Sequence, residues 1–332
     1  MLFERMQLIE LLYSRLPHAS EYILTGKTIT SLSQTPSSIR VACDDGSEYS
    51  GDILIGADGV HSITRRLLFG DPHDTLATLP EGFSTTFRCI FGWGRLISGL
   101  VPGEMTERTK SEISSQLLTS DDTVCWFLYQ RLPRTTRERA SYTNADIAEL
   151  AKACEDFSVV EDDKVRFGDL WKSRTRATLV DLEEGVMEKW FNGRVVLVGD
   201  AAHKMLPNVG LGCNNAIESV ASLVNRLKAL VLANPTPSTD ELVNLFAAYQ
   251  QERQSRAIRC TRISGFLLRY AWFLTIVLKF LSNFISLDNT RFIADVLYPW
   301  IPRDAIVLDF APESCPKTGR IPWRSNTVST KE

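Results

Sequence analysis

Two short apolar runs, each ending in glycine and then aspartate, constrain this chain more than any other feature. The first is Asp52-Ile53-Leu54-Ile55-Gly56-Ala57-Asp58-Gly59, and the second is Arg194-Val195-Val196-Leu197-Val198-Gly199-Asp200-Ala201-Ala202-His203. Continuous apolar runs of this length read as strands buried on both faces of a parallel sheet. Their carboxyl ends are where α/β sheets place ligands, and small residues there let a backbone approach one closely. Each run leads into a helical pattern. The first is His61 to Phe69, with Asp58 or Ser62 as its cap, and the second is Asn214 to Leu232.

The stretches around these runs have other characters. Leu8, Ile9, Leu11, Leu12 and Leu16 recur at helical spacing near the amino end. Tyr22 to Leu24, Ile29 to Leu32, Ile39 to Cys43 and Tyr49 read as short strands, with turns at 35–38 and 44–46. Between the two aspartate runs lie β-rich segments, Thr85 to Phe91 and Thr123 to Tyr129, and an acidic helical piece, Asn144 to Phe157. A turn-rich linker from Ala233 to Asp240 precedes a further helix from Glu241.

Composition excludes several classes. A net charge of −3 gives no electrostatic case for nucleic acid. The seven cysteines form no CxxC pair, and with four histidines no metal-ligand cluster is visible, so no metal is expected. The cysteines read as reduced core residues of an intracellular protein. Met1-Leu2-Phe3 is followed at once by Glu4 and Arg5, with no apolar signal region. Phe266 to Leu287 is apolar but interrupted by Arg269 and Lys279, which argues against spanning a membrane. It reads either as an interfacial helix on the endoplasmic reticulum or cytoplasmic face, or as a buried helix pair.

The second run continues Pro207-Asn208-Val209-Gly210-Leu211-Gly212-Cys213-Asn214. Glycines before a helix present backbone N–H groups and a positive dipole to a ligand. His203 reads as a hydrogen-bonding loop residue rather than a base, His61 as an exposed helix-start residue, and Trp93, Trp126 and Trp171 chiefly as core. No nucleophile–base constellation is present, so the catalytic residues are unknown at this level.

In this order the two segments resemble the paired DG and GD motifs of the aromatic-hydroxylase class of FAD-dependent monooxygenases. Phe87-Arg88-Cys89-Ile90-Phe91-Gly92, Phe167-Gly168-Asp169-Leu170-Trp171 and Leu182-Glu183-Glu184-Gly185 are similar to its fungal secondary-metabolite branch, the meroterpenoid and indole-diterpene epoxidases. The resemblance runs from Leu2 to Trp323. It implies an α/β fold (α+β overall): an incomplete FAD-binding Rossmann-like domain from residues 1–72 and 175–233, a β-sheet substrate domain at 73–174, and a helical region at 234–332. It implies cofactor binding by Arg5, Asp58, Asp200, Gly210, Gly212 and Asn214. It also implies epoxidation or hydroxylation of a lipophilic prenylated or terpenoid metabolite, with FAD, NADPH as transient reductant, and dioxygen, through a C4a-hydroperoxyflavin.

The chain departs from the family in three places. No GxGxxG occurs, whereas relatives open with a βαβ unit carrying that turn, part of a segment of roughly a hundred residues. Leu211 stands where the family has glutamine, and Ser219 where it has an acid. The first departure sets the expectation that this form holds FAD weakly. It also keeps an alternative open: a degenerate paralogue that is inactive, or that isomerises or cyclises a terpenoid without redox chemistry.

Overall fold

The computed structural model describes residues 5–70, 74, 75, 77–160, 162–270 and 304–311. Helix α1 (Arg5–Arg15) and a single helical turn, α2 (Ala19–Tyr22), open the chain. Strands β1 (Ile29–Gln34), β2 (Ile39–Cys43) and β3 (Glu48–Gly51) form an antiparallel meander. The expected strand at Tyr22 to Leu24 is absent. Its side chains are exposed and its first residue ends α2, because strand propensity without a pairing partner does not hold an extended chain. Helix α1 forms where the leucine spacing places it, yet it buries none of its residues.

The first aspartate run supplies β4 (Leu54–Gly56), followed by α3 (Ile63–Phe69). Four antiparallel strands then follow: β5 (Phe83–Arg95), β6 (Met105–Lys110), β7 (Ile113–Thr119) and β8 (Thr123–Thr136). Helices α4 (Asn144–Ala153) and α5 (Phe167–Ser173) lead into β9 (Arg174–Val186). A reciprocal cap between Thr143 and Asp146 starts α4. The chain continues through β10 (Phe191–Asn192), β11 (Val195–Leu197) and β12 (His203–Lys204), then α6 (Gly212–Ala233) and α7 (Thr239–Arg269).

Two sheets organise these elements. β4 and β11 pair in parallel, with Gly56 beside Leu197, so both aspartate runs end at one sheet edge, as expected. The large sheet is antiparallel throughout, in the order β12-β9-β5-β8-β7-β6. β9 begins at Arg174 and stays in this sheet to Val186.

The faces of the large sheet have different duties. One carries Ile90, Trp126, Leu128 and Leu179 against Ile147, Leu150, Phe167 and Leu170 of α4 and α5. Gly92 is required here: a Cβ at this position would lie 1.9 Å from the Trp126 indole on the neighbouring strand. The other face carries Phe87, Phe91, Phe127, Val180 and Leu182. Around β11, Val196, Leu197 and Val198 pack on Leu223 of α6 and on Leu242, Phe246 and Tyr249 of α7. Each such side chain contributes about 1.5–3 kcal/mol of burial free energy. Phe246 is wholly buried, so truncating it to alanine costs about 3–5 kcal/mol.

Helix α7 ends at Arg269, so most of the apolar stretch 266–287 lies outside the described residues. Among the described residues, no helix is long and apolar enough to cross a membrane.

Candidate cofactor and substrate site

At the sheet edge, Asp58 leaves β4 and serves α3. Its Oδ1 accepts from Ser62 Oγ at 2.5 Å and its Oδ2 from the Thr64 N–H at 2.8 Å, while Ser62 Oγ accepts from the Arg65 N–H at 2.9 Å. Both carboxylate oxygens are thus engaged in capping. Asp200 leaves β11 and is partly exposed, pairing with Lys204 Nζ at 2.5 Å.

Arg65 joins the two loops. It is 1 % exposed, and it donates from Nη2 to the Val60 carbonyl at 2.8 Å and from Nη1 to the Ala201 carbonyl at 3.0 Å. Its Nε meets Asp74 at 2.7 Å, and Arg139 Nη2 reaches the other Asp74 oxygen at 3.1 Å. The guanidinium fork suits this use, because its donors are fixed in one plane.

The glycine loop lies on the other side of Asp200. Gly199 has φ +57, and a Cβ there would stand 3.1 Å from Ala216, so the first turns of α6 sit over the strand end. Gly210 has φ +64, a left-handed conformation that favours glycine. No atom stands within 4 Å of a Cβ built on Gly210 or Gly212, and Leu211 gives α6 no side-chain cap. The space beside both glycines is open, and the first N–H groups of α6 have no side-chain cap. Asn214 is exposed and donates from Nδ2 to the Gly210 carbonyl at 3.0 Å, which holds the loop in shape. These residues fit the flavin end of FAD.

Helix α7 braces α6 from behind. Glu218 accepts from Arg253 Nη1 at 2.8 Å and from Arg256 Nε at 2.6 Å, all three side chains being buried. His203 Nε2 lies 2.9 Å from Ser219 Oγ, so the residue that stands in place of the family's acid carries a buried hydrogen bond. Burial, and then the nearby Arg253, lower His203 to a pKa of about 4, which keeps it neutral.

Beside the sheet edge opens a cavity of about 1330 Å3. Arg5, His61, Lys204 and Pro207 line it from the loop side, and Phe91, Trp93, Phe127, Val180 and Leu182 from the large sheet. The structure thus brings Arg5 to the cavity wall, while Asp58, Asp200 and the glycine loop stand outside that lining, Asp200 linked to it through Lys204. Trp126 is core, in T-shaped contact with Phe167, whereas Trp93 faces the cavity.

Several polar cavity residues were not legible as such. Glu183 is buried and contacts His61 Nε2 at 3.4 Å. Burial raises the Glu183 pKa, and burial followed by the Arg139, Arg65, Lys204 and Arg66 charges lowers that of His61. Tyr142 donates to Asp181 at 2.7 Å, and burial and then that carboxylate push it up to about 12. The available signal for Glu183 was a concentration of acids within one strand, Asp181, Glu183 and Glu184 among Val180, Leu182 and Val186.

Comparison with known proteins agrees with this geometry. A family model described as FAD binding domain matches residues 106–264. The FAD-dependent monooxygenase olcE of Penicillium canescens is 32 % identical over 323 residues, covering 93 % of this chain and 68 % of that protein. The FAD-dependent monooxygenase dpchE of Colletotrichum higginsianum is 37 % identical over 275 residues, covering 76 % of this chain and 56 % of that one. The solved structure of Klebsiella pneumoniae HpxO, complexed with FAD and uric acid, superposes with a TM-score of 0.63 at 20 % identity. It covers 82 % of this chain and 67 % of that one, a likeness of fold. The chain spans between 55 and 68 % of the lengths of the curated relatives it matches.

Proposed function

We propose, from the premise that this chain belongs to the family of FAD-dependent monooxygenases, that it serves the oxygenation of a lipophilic prenylated or terpenoid metabolite. The observation that carries the reading is a large, aromatic-walled cavity lined by Lys204 and Pro207, the segment that leads within a few residues into the glycine-opened start of α6. Lipophilic substrates are held in such chambers by apolar walls and oriented by a few polar groups.

FAD, when bound and reduced by NADPH, supplies the oxygen-activating chemistry. The chain's own residues do the rest. The α6 start and the Gly210 loop would hold the flavin end, with Asp200 toward the ribityl region and Arg5 at the cavity wall. Phe91, Phe127 and Leu182 exclude water from the reacting centre. Arg65 fixes the two loops relative to each other, so the donors of the site arrive already oriented. Asp58 acts here through α3, as its cap.

In this reading the cofactor elements are the 1–72 and 175–233 stretches and the substrate elements are 73–174, with β9 shared between them as a cavity wall. The test is Asp200→Ala. Retained flavin, read as absorbance of purified protein after FAD loading, falls at least tenfold. Unchanged flavin content counts against the assignment.

A further inference from the structure

The cavity has a cluster of charged groups around Glu183 and aromatic walls farther along, where Asp181, Tyr142 and Arg176 are also polar, and the register of the large sheet separates the cluster from the aromatic walls. Glu183 stands opposite Thr85, and Arg176 stands opposite Trp93. These positions are seven residues apart along β9, about 23 Å at the usual rise. At the Glu183 end the walls carry His61, Arg139 and Lys204. Farther along, Phe91 and Phe127 meet edge to face with centroids 5.0 Å apart.

Among the described residues, two carboxyl groups line this cavity, and they differ in what they hold. Asp181 accepts from the Tyr142 hydroxyl at 2.7 Å and from the Ala140 N–H at 3.2 Å. Glu183 has the long His61 contact at 3.4 Å and a hydrogen bond from its own backbone N–H. Its neighbour Glu184 is tied to Arg269, and Lys204 is tied to Asp200. A carboxyl group has about four acceptor positions, so one held only by these contacts keeps acceptor capacity for a ligand in the cavity.

Resting on the reading of this cavity as the substrate chamber, we propose that Glu183, backed by His61, grips an oxygen function at one end of an elongated apolar molecule. Four cations face the pair: Arg65 and Arg66 from α3, Arg139 from the segment after β8, and Lys204 from β12. Asp181 is the acid on the same strand. Burial raises the Glu183 pKa and lowers that of His61, and the two side chains stand 3.4 Å apart, so a carboxyl oxygen and an imidazole nitrogen are both offered to a hydroxyl or carbonyl group. The apolar body then runs along β9 toward Phe91, Phe127 and Trp93.

The test compares farnesol with farnesene, a hydrocarbon of the same chain length, by equilibrium dialysis against the unaltered chain, E183L, E183M and E183Q. The unaltered chain binds farnesol at least tenfold more tightly than farnesene. E183L and E183M lose that preference and keep their farnesene affinity, while E183Q retains most of it. Equal binding of the two by the unaltered chain, no binding of farnesol, or an undiminished preference in E183L overturns the proposal. So does loss of farnesene affinity in both E183L and E183M, since Glu183 is then structural. Neither flavin nor turnover enters the measurement. A chain that prefers farnesol in this way and never oxygenates it therefore overturns the monooxygenase reading and leaves Glu183 assigned.

Discussion

Arg65 and Ala201 stand 136 residues apart in sequence and are joined by a 3.0 Å hydrogen bond from the Arg65 guanidinium to the Ala201 carbonyl. That bond fastens the loop after β4 to the loop after β11, and those loops carry the two aspartates that define the site.

Replacing Arg65 by leucine leaves Asp74 with Arg139 as its ion pair and two loop carbonyls without their donor. Breaking a buried pair in this way costs about 3–5 kcal/mol. Urea denaturation of Arg65→Leu checks it, and a loss below about 1 kcal/mol would remove the clamp from the account.

His203 gives the stability of the chain a pH dependence with a definite sign. Its folded pKa of about 4 lies below the ordinary value of 6.5, so the unfolded chain binds the proton first as pH falls. The contribution of neutral His203 is complete above pH 6.5 and is lost progressively toward pH 4, reaching about 3 kcal/mol. Denaturant midpoints measured across that window fall for the native chain. They fall less for His203→Gln, and parallel slopes would contradict the prediction.

Gly212 separates folding from cofactor binding. Its Cβ position is open, and it is the first residue of α6, where glycine has no conformational duty. Gly212→Leu therefore changes stability by less than about 0.5 kcal/mol. The new side chain fills the space assigned to the flavin, and affinity for riboflavin drops at least tenfold. Unchanged riboflavin binding by a normally folded variant places the flavin elsewhere.

The 332 residues contain no GxGxxG turn, and the loops described here fit the flavin end of the cofactor. Phosphate contacts of the dinucleotide fold are worth about 1.5–3 kcal/mol each where they exist. Riboflavin, FMN and FAD accordingly bind this chain with affinities within about threefold of one another, since the loops among the described residues offer no set of phosphate donors that distinguishes them. Fluorescence titration decides it. FAD bound a hundredfold more tightly than riboflavin would mean that another segment holds the pyrophosphate.

Parts of this structure were legible in the residues because their signals are local. The alternation from Ile39 to Cys43 is β2 itself, and the apolar runs ending in glycine and aspartate pair as parallel neighbours. The Asp58 cap was also readable, since its partners lie within six residues. The contacts that shape the cavity were not. Arg65 with Ala201, Arg139 with Asp74, and Glu183 with His61 join distant positions, and nothing near any one of them announces its partner. Ser219 looked like a departure from a family pattern, and it proves to be the buried partner of His203.

The parallel pair β4–β11 also sets an order of assembly. Its partners are about 140 residues apart, and closing so long a loop must precede any reward from the contact. The intervening strands β6, β7 and β8 are joined by short turns and pair with their sequence neighbours, so they close at far smaller entropic cost. The β6–β8 meander therefore forms early, whereas the β5–β9 pairing that walls the cavity joins residues 80 to 102 apart and closes later, and the edge that bears both aspartates comes together late. The site is among the last parts of the molecule to exist during folding, and among the first to be lost when the chain begins to open.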